Sequence, residues 1–163
     1  PMAGSEKSGI GNAREDLFEG TTCILTPTLF TTETALQRVR WLWTIAGCRL
    51  LEMSPEEHDR KVACISHMPH LAAAAIALSA LRDDRDAARC AGNGFRDTTR
   101  IASGDPQLWT GIISQNRTQT LAAMSGLQDG LTRLIQVIEQ GDDNALLDLL
   151  KEAKAVRDQA LNS

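Results

Sequence analysis

The residues best suited to chemistry lie in the run Gly92-Asn93-Gly94-Phe95-Arg96-Asp97-Thr98-Thr99-Arg100-Ile101-Ala102. Two glycines let the backbone turn, and two arginines, an aspartate and two threonines follow, enclosed by Phe95 and Ile101: an anion site in outline. If the run enters a helix, Arg96 and Arg100 lie one turn apart on a shared face, and Asp97 is near enough to pair with Arg100. A solvated helix start with a structural ion pair accounts for the same residues. A second cluster is Ser66-His67-Met68-Pro69-His70, whose two histidines are three apart. As a metal site it has no third ligand at a recognisable spacing, and Cys64 is a poor one. Neutral imidazoles at a helix kink suit hydrogen bonding to a polar ligand, with core or capping histidines as the alternative.

These residues need elements to hold them. Residues 1–20 read as a loop with one short helical turn at most. Thr21 to Thr26 is β-rich and stops at Pro27, a buried strand. A helix starts near Thr32, with Glu33 in its first turn, Leu36, Val39, Trp43 and Ala46 on one face, and Gly47 as its stop. Cys48 to Met53 is a second short strand, so residues 1–53 form a βαβ unit whose remaining strands are expected before Pro1. From residue 54 to 163 the pattern is helical. Ser54-Pro55-Glu56-Glu57 is an N-cap, a first-position proline and a capping-box glutamate. Val62, Ile65, Met68, Ala72 and Ile76 carry the apolar stripe, and Pro69 is expected to kink it and leave the Ile65 carbonyl open. Asp105-Pro106 starts a helix of roughly 50 Å through Leu121, Leu131 and Ile138 to Gly141, whose apolar face meets a partner chain. A last helix, with Leu146, Leu149, Leu150, Ala153 and Val156 on one side, is expected to pack back on it.

Composition removes other classes. In 163 residues the net charge is −4 without a dense basic run, which argues against nucleic acid. Cys23, Cys48, Cys64 and Cys90 are too far apart for a zinc framework and point to a reducing, cytoplasmic setting. The longest apolar run, Leu71 to Leu78, falls far short of the roughly 20 residues of a membrane span. Gly9-Ile10-Gly11 lacks the third glycine of a dinucleotide fingerprint, and no Gly-x-Ser-x-Gly elbow offers a nucleophile. Neither metal nor membrane is expected.

Read together, Pro1-Met2-Ala3-Gly4-Ser5-Glu6-Lys7-Ser8-Gly9, Asp16-Leu17-Phe18-Glu19-Gly20, Ile24-Leu25-Thr26-Pro27, Glu57-His58-Asp59-Arg60, the His67 and His70 cluster, Gly94 to Ala102 and Asp105-Pro106-Gln107-Leu108-Trp109 follow one order. In that order the chain resembles the prephenate and arogenate dehydrogenase family along nearly its whole length. The resemblance implies a mainly α fold: a helical dimerisation domain like the C-terminal domain of 6-phosphogluconate dehydrogenase, preceded by a βαβ remnant of a Rossmann-type domain. It implies oxidative decarboxylation of prephenate or arogenate with NAD or NADP in a homodimer. The family's catalytic histidine falls immediately before Pro1, so no catalytic residue is expected in this chain, and the chain alone is expected to be inactive and to bind no cofactor.

By match to the family, Arg100 binds a substrate carboxylate, Asp97 orients it, and Glu6 gates it. His70, with His67 behind it, lines the substrate pocket, Ser5 supplies a hydroxyl, and Trp109 reaches toward the partner's pocket. A rival reading on the same scaffold is a catalytically silent helical dimerisation or ligand-sensing module.

Overall fold

The computed structural model describes residues 1–3, 11 and 13–161, so Ser5 and Glu6 lie outside the described residues. The chain forms two compact units, Pro1–Thr120 and Leu121–Ser163.

The first unit opens with the expected βαβ turn: β1 (Thr22–Leu25), α1 (Glu33–Ile45) and β2 (Arg49–Glu52), with β1 and β2 parallel and Cys23 opposite Leu50. Alternation along β1 turns Cys23 and Leu25 inward, where with Cys48 they form a small core covered by Phe18, Leu36, Trp43 and Leu50. Phe18 meets Trp43 edge to face, with ring centroids 5.2 Å apart. The Thr32 hydroxyl accepts from Ala35 N at the start of α1, and Gly47 at φ +87° ends the turn after it. Arg40 grips both oxygens of Glu52 at 2.5 and 2.8 Å and one of Glu33 at 3.0 Å, tying α1 to the edge of β2. All four cysteines are free thiols.

The helical part starts as its cap residues dictate, with the Ser54 hydroxyl accepting from Glu57 N at 3.1 Å at the head of α2 (Pro55–Val62). Before Pro69 the chain widens into a π-helical turn over Ala63–His67, where Met68 N reaches back to Ala63 O, and then continues as α3 (Met68–Leu81). The extra residue rotates the following face by about 100°. The expected stripe therefore holds at Val62, which is buried, and at Met68 and Ala72, which are half-buried, but fails at Ile65, 67% exposed, and Ile76, 40% exposed, while Ala63, His67, His70 and Ala73 are buried instead. The continuous run Pro55–Leu81 is long and apolar enough to cross a membrane by length and composition, a pattern it shares with core helices of soluble proteins.

A 3₁₀ turn (Arg85–Cys90), with Asp84 accepting from Asp86 N and Ala87 N, leads to α4 (Asn93–Thr99). That helix stops at Thr99, whose hydroxyl donates to Phe95 O at 2.7 Å, and Arg100 begins a separate 3₁₀ turn (Arg100–Ser103). Arg96 and Arg100 thus do not share one continuous α-helical face. The single long helix expected after Asp105 is two, α5 (Pro106–Gln115) and α6 (Arg117–Gln140), broken at Asn116 with φ −116° and ψ 38°.

In the second unit, Gly141 at φ +65° turns the chain from α6 into α7 (Asp143–Leu161). α7 has no fully buried residue; Leu134 and Val137 on α6 and Leu146 and Leu149 on α7 are half-buried, whereas Leu131, Ile135 and Ile138 on α6 and Leu147, Leu150 and Val156 on α7 are exposed.

Candidate functional site

Every functional side chain described below belongs to the first unit. The π turn and α3 carry His67 and His70, and the 3₁₀ turn bearing Arg100 packs against α3. Gly104 ends that turn, and Asp105 caps α5 by accepting from Gln107 N at 2.8 Å and Leu108 N at 3.3 Å. The cap aims the first turn of α5 so that Trp109 lies on His70, with ring centroids 3.6 Å apart and planes 15° from parallel. His67 meets the same indole edge-on at 6.5 Å.

Gly104 is the position where no side chain fits. Its backbone is ordinary, φ −63° and ψ 158°, but a Cβ there would stand 2.6 Å from Trp109 Nε1 and 3.1 Å from His70 Cε1. The glycine therefore lets backbone, imidazole and indole close on one another.

The two histidines differ in their partners. His67 Nδ1 faces Thr120 Oγ1 at 3.3 Å and Asn116 Nδ2 at 3.4 Å, and Asn116 Nδ2 also donates to Asp59 O at 2.8 Å. His70 Nδ1 is buried and has no hydrogen-bond partner among the described residues. Burial lowers both imidazoles below their ordinary value; at His67 the neighbouring His58 lowers it further and Asp59 works against the shift. Both rings are therefore neutral near pH 7, able to donate from one nitrogen and accept at the other.

The structure thus brings His67, His70 and Trp109 together and puts Arg100 on the adjoining turn. Arg100 is exposed on the first residue of that turn, and Asp97, exposed on α4, forms no ion pair among the described residues. Trp109 stacks on His70 of its own chain, because the Asp105 cap and Gly104 set the indole down on α3. Sequence reasoning missed Gly104, Asn116 and Thr120. A poor helix former such as Asn116 inside a long apolar pattern was the available signal for the break.

Two open hollows lie on the βαβ part, one lined by Met2, Arg14, Asp16 and Thr21 and another by Ile24, Pro27, Leu36 and Val39, while Gly104, Trp109 and His70 are close-packed. The βαβ turn does not suit a dinucleotide. The β1 to α1 link contains no glycine, Thr32 already occupies the helix-start N–H of Ala35, and Glu33 sets a negative charge where a pyrophosphate would bind. Among the described residues no group of three His, Cys, Asp or Glu is placed to hold a metal ion.

Comparison with known proteins agrees with this architecture. Residues 54–152 match the family model of the prephenate dehydrogenase dimerization domain, and residues 1–52 match that of the prephenate dehydrogenase nucleotide-binding domain. The chain is 37% identical to prephenate dehydrogenase of Bacillus subtilis over 97% of its own length and 43% of the relative's. It is 30% identical to cyclohexadienyl dehydrogenase of Zymomonas mobilis, covering 96% of this chain and 55% of that one. The chain spans about half the length of the curated relatives it matches.

Among solved structures, prephenate dehydrogenase from A. aeolicus in complex with hydroxyphenyl propionate and NAD+ superposes with a TM-score of 0.89 at 35% identity, over 98% of this chain and 57% of that one. Synechocystis arogenate dehydrogenase superposes with a TM-score of 0.82 at 31% identity, over 99% of this chain and 60% of that one. With its parallel βαβ turn followed by a helical domain, the chain belongs to the prephenate/arogenate dehydrogenase family, of which it carries the dimerisation domain and a short part of the nucleotide-binding domain.

Proposed function

We propose that this chain is the substrate-carboxylate-binding and dimer-forming part of an NAD- or NADP-dependent oxidative decarboxylase of prephenate or arogenate, acting in tyrosine biosynthesis in the cytoplasm. The observation that carries the reading is His70: a buried imidazole nitrogen without a partner among the described residues, beneath Trp109 and one helical turn from His67. An unpaired buried polar atom costs on the order of 1–3 kcal/mol, and a ligand group that satisfies it removes that cost. In this reading residues 1–53 belong to the nucleotide-binding side and residues 54–163 to the substrate side.

The roles follow from side-chain chemistry. The Arg100 guanidinium is permanently charged and presents a planar fork that matches a carboxylate, which lysine cannot copy. His70 and His67, held neutral by burial, hydrogen-bond polar groups of the substrate without adding a second positive charge. Trp109 walls the site and excludes water from it. Asp97, Ser5 and Glu6 keep the orienting, hydroxyl and gating roles that the resemblance implies.

The exposed apolar faces of α6 and α7 support the homodimer, as does the match to a dimerization domain. The test is an assay of the complete protein for cofactor-dependent formation of 4-hydroxyphenylpyruvate from prephenate, or of tyrosine from arogenate, with carbon dioxide released. Absence of both activities refutes the proposal.

A further inference from the structure

Asn116, the residue at which the long helix breaks, has two fixed commitments. Its Nδ2 donates to the Asp59 carbonyl at 2.8 Å, and because a carbonyl only accepts, this contact fixes which end of the amide is the NH₂ group. The same Nδ2 stands 3.4 Å from His67 Nδ1, and an amide nitrogen has no lone pair to offer, so Nδ1 is the acceptor of that long contact. Thr120 Oγ1, 3.3 Å from the same Nδ1, then turns its own hydroxyl hydrogen toward the ring.

We infer that Asn116 is a positioning residue that locks His67 as the neutral tautomer with its proton on Nε2, so that His67 presents a hydrogen-bond donor to a carboxylate or other acceptor group of the ligand. The chain of control runs from a backbone carbonyl in α2, through the side chain at the α5 to α6 break, to an imidazole on the π turn. The break has a use on this account: Asn116 leaves helical geometry, and its amide bridges the α2 backbone and the His67 ring. The role for His67 rests on the proposed substrate-side reading, but its tautomer does not.

The test is a long-range ¹H–¹⁵N correlation spectrum of the intact chain near pH 7.5, without ligand, with His67 assigned by loss of its signals in His67→Gln. The wild type is expected to show His67 protonated at Nε2. Asn116→Asp replaces the donor by a carboxylate, which repels the Asp59 carbonyl and accepts from the ring, and is expected to move the proton to Nδ1. Thr120→Val leaves the amide in place and is expected to keep the proton on Nε2. If Asn116→Asp fails to fold by far-UV circular dichroism, Asn116→Ala carries the test, with the two ring nitrogen shifts moving toward each other as the tautomers mix.

A wild-type ring protonated at Nδ1 or already averaged would overturn the inference. So would a ring still wholly Nε2-protonated in the folded Asn116 variant, or one that changes only with Thr120→Val. Because no ligand is present, these results stand apart from the activity assay: a locked ring in an inactive protein supports Asn116 as the lock while removing the proposed reaction.

Discussion

Replacing Gly104 by alanine tests whether the histidine and tryptophan packing is as tight as the geometry states. The backbone at Gly104 lies at φ −63° and ψ 158°, open to any residue, so the substitution brings no backbone strain. On that ground alone alanine would stabilise the protein by about 0.4–1 kcal/mol, because the unfolded chain loses freedom. The added methyl, however, falls 2.6 Å from Trp109 Nε1 and 3.0 Å from Trp109 Cδ1, and a rigid indole stacked 3.6 Å from His70 cannot yield as a flexible chain end would. Overpacking of this kind costs about 1–3 kcal/mol, which exceeds the entropic gain and leaves a net loss of about 1–2 kcal/mol. The assay is urea unfolding at fixed protein concentration, together with the indole Nε1–H resonance of Trp109. A Gly104→Ala protein as stable as wild type or more so, with that resonance unmoved, would refute the packing argument.

Burial holds the folded pKa values of His67 and His70 below the ordinary 6.5, so the unfolded chain takes up protons first as pH falls. The stability this confers is complete above about pH 6.5 and is lost as pH drops toward the folded values, so urea midpoints should fall between about pH 7.5 and 5.5, and His70→Gln should flatten the slope. Gly47→Ala should destabilise by about 1–2 kcal/mol in the same experiment, because Gly47 sits at φ +87° and a Cβ would also stand 3.1 Å from Glu19 Cα. Ser54→Ala removes the acceptor for Glu57 N and should cost about 1 kcal/mol, with Ser54→Gly milder. Charging the open face of α6 with Leu131→Glu and Ile135→Glu should convert a dimer to a monomer in light scattering; a monomeric wild type would remove the dimer from the account.

The parts legible in the sequence were those set by local chemistry. Thr32, Ser54 and Asp105 each cap a helix where their spacing indicated, Gly47 and Gly141 turn the chain at positive φ, and the β-rich run before Pro27 forms the strand Thr22–Leu25. What was hidden depended on more distant partners. Pro69 signalled a disturbance but not its form, because a π turn and a kink both relieve a missing N–H, and only the first rotates Ile65 and Ile76 outward. The break at Asn116 arises from a carbonyl 57 positions earlier, which no local periodicity records. The apolar stripe of α7 reads as a packing face, and within this chain it is only half-covered, at Leu146 and Leu149, with Leu150 and Val156 exposed. His67, His70 and Trp109 were individually recognisable; their stacking needed Gly104, whose importance comes from space rather than from backbone conformation.

The most direct test of the central claim is steady-state kinetics of the complete enzyme carrying Arg100→Ala, with prephenate and arogenate as substrates. Loss of a charge-assisted carboxylate fork removes about 1.5–3 kcal/mol of binding, so KM should rise by roughly 10- to 150-fold, with the larger change in KM rather than kcat. An Arg100→Ala enzyme with an unaltered KM for both substrates would contradict the assignment of this turn and its neighbouring histidines to the substrate site.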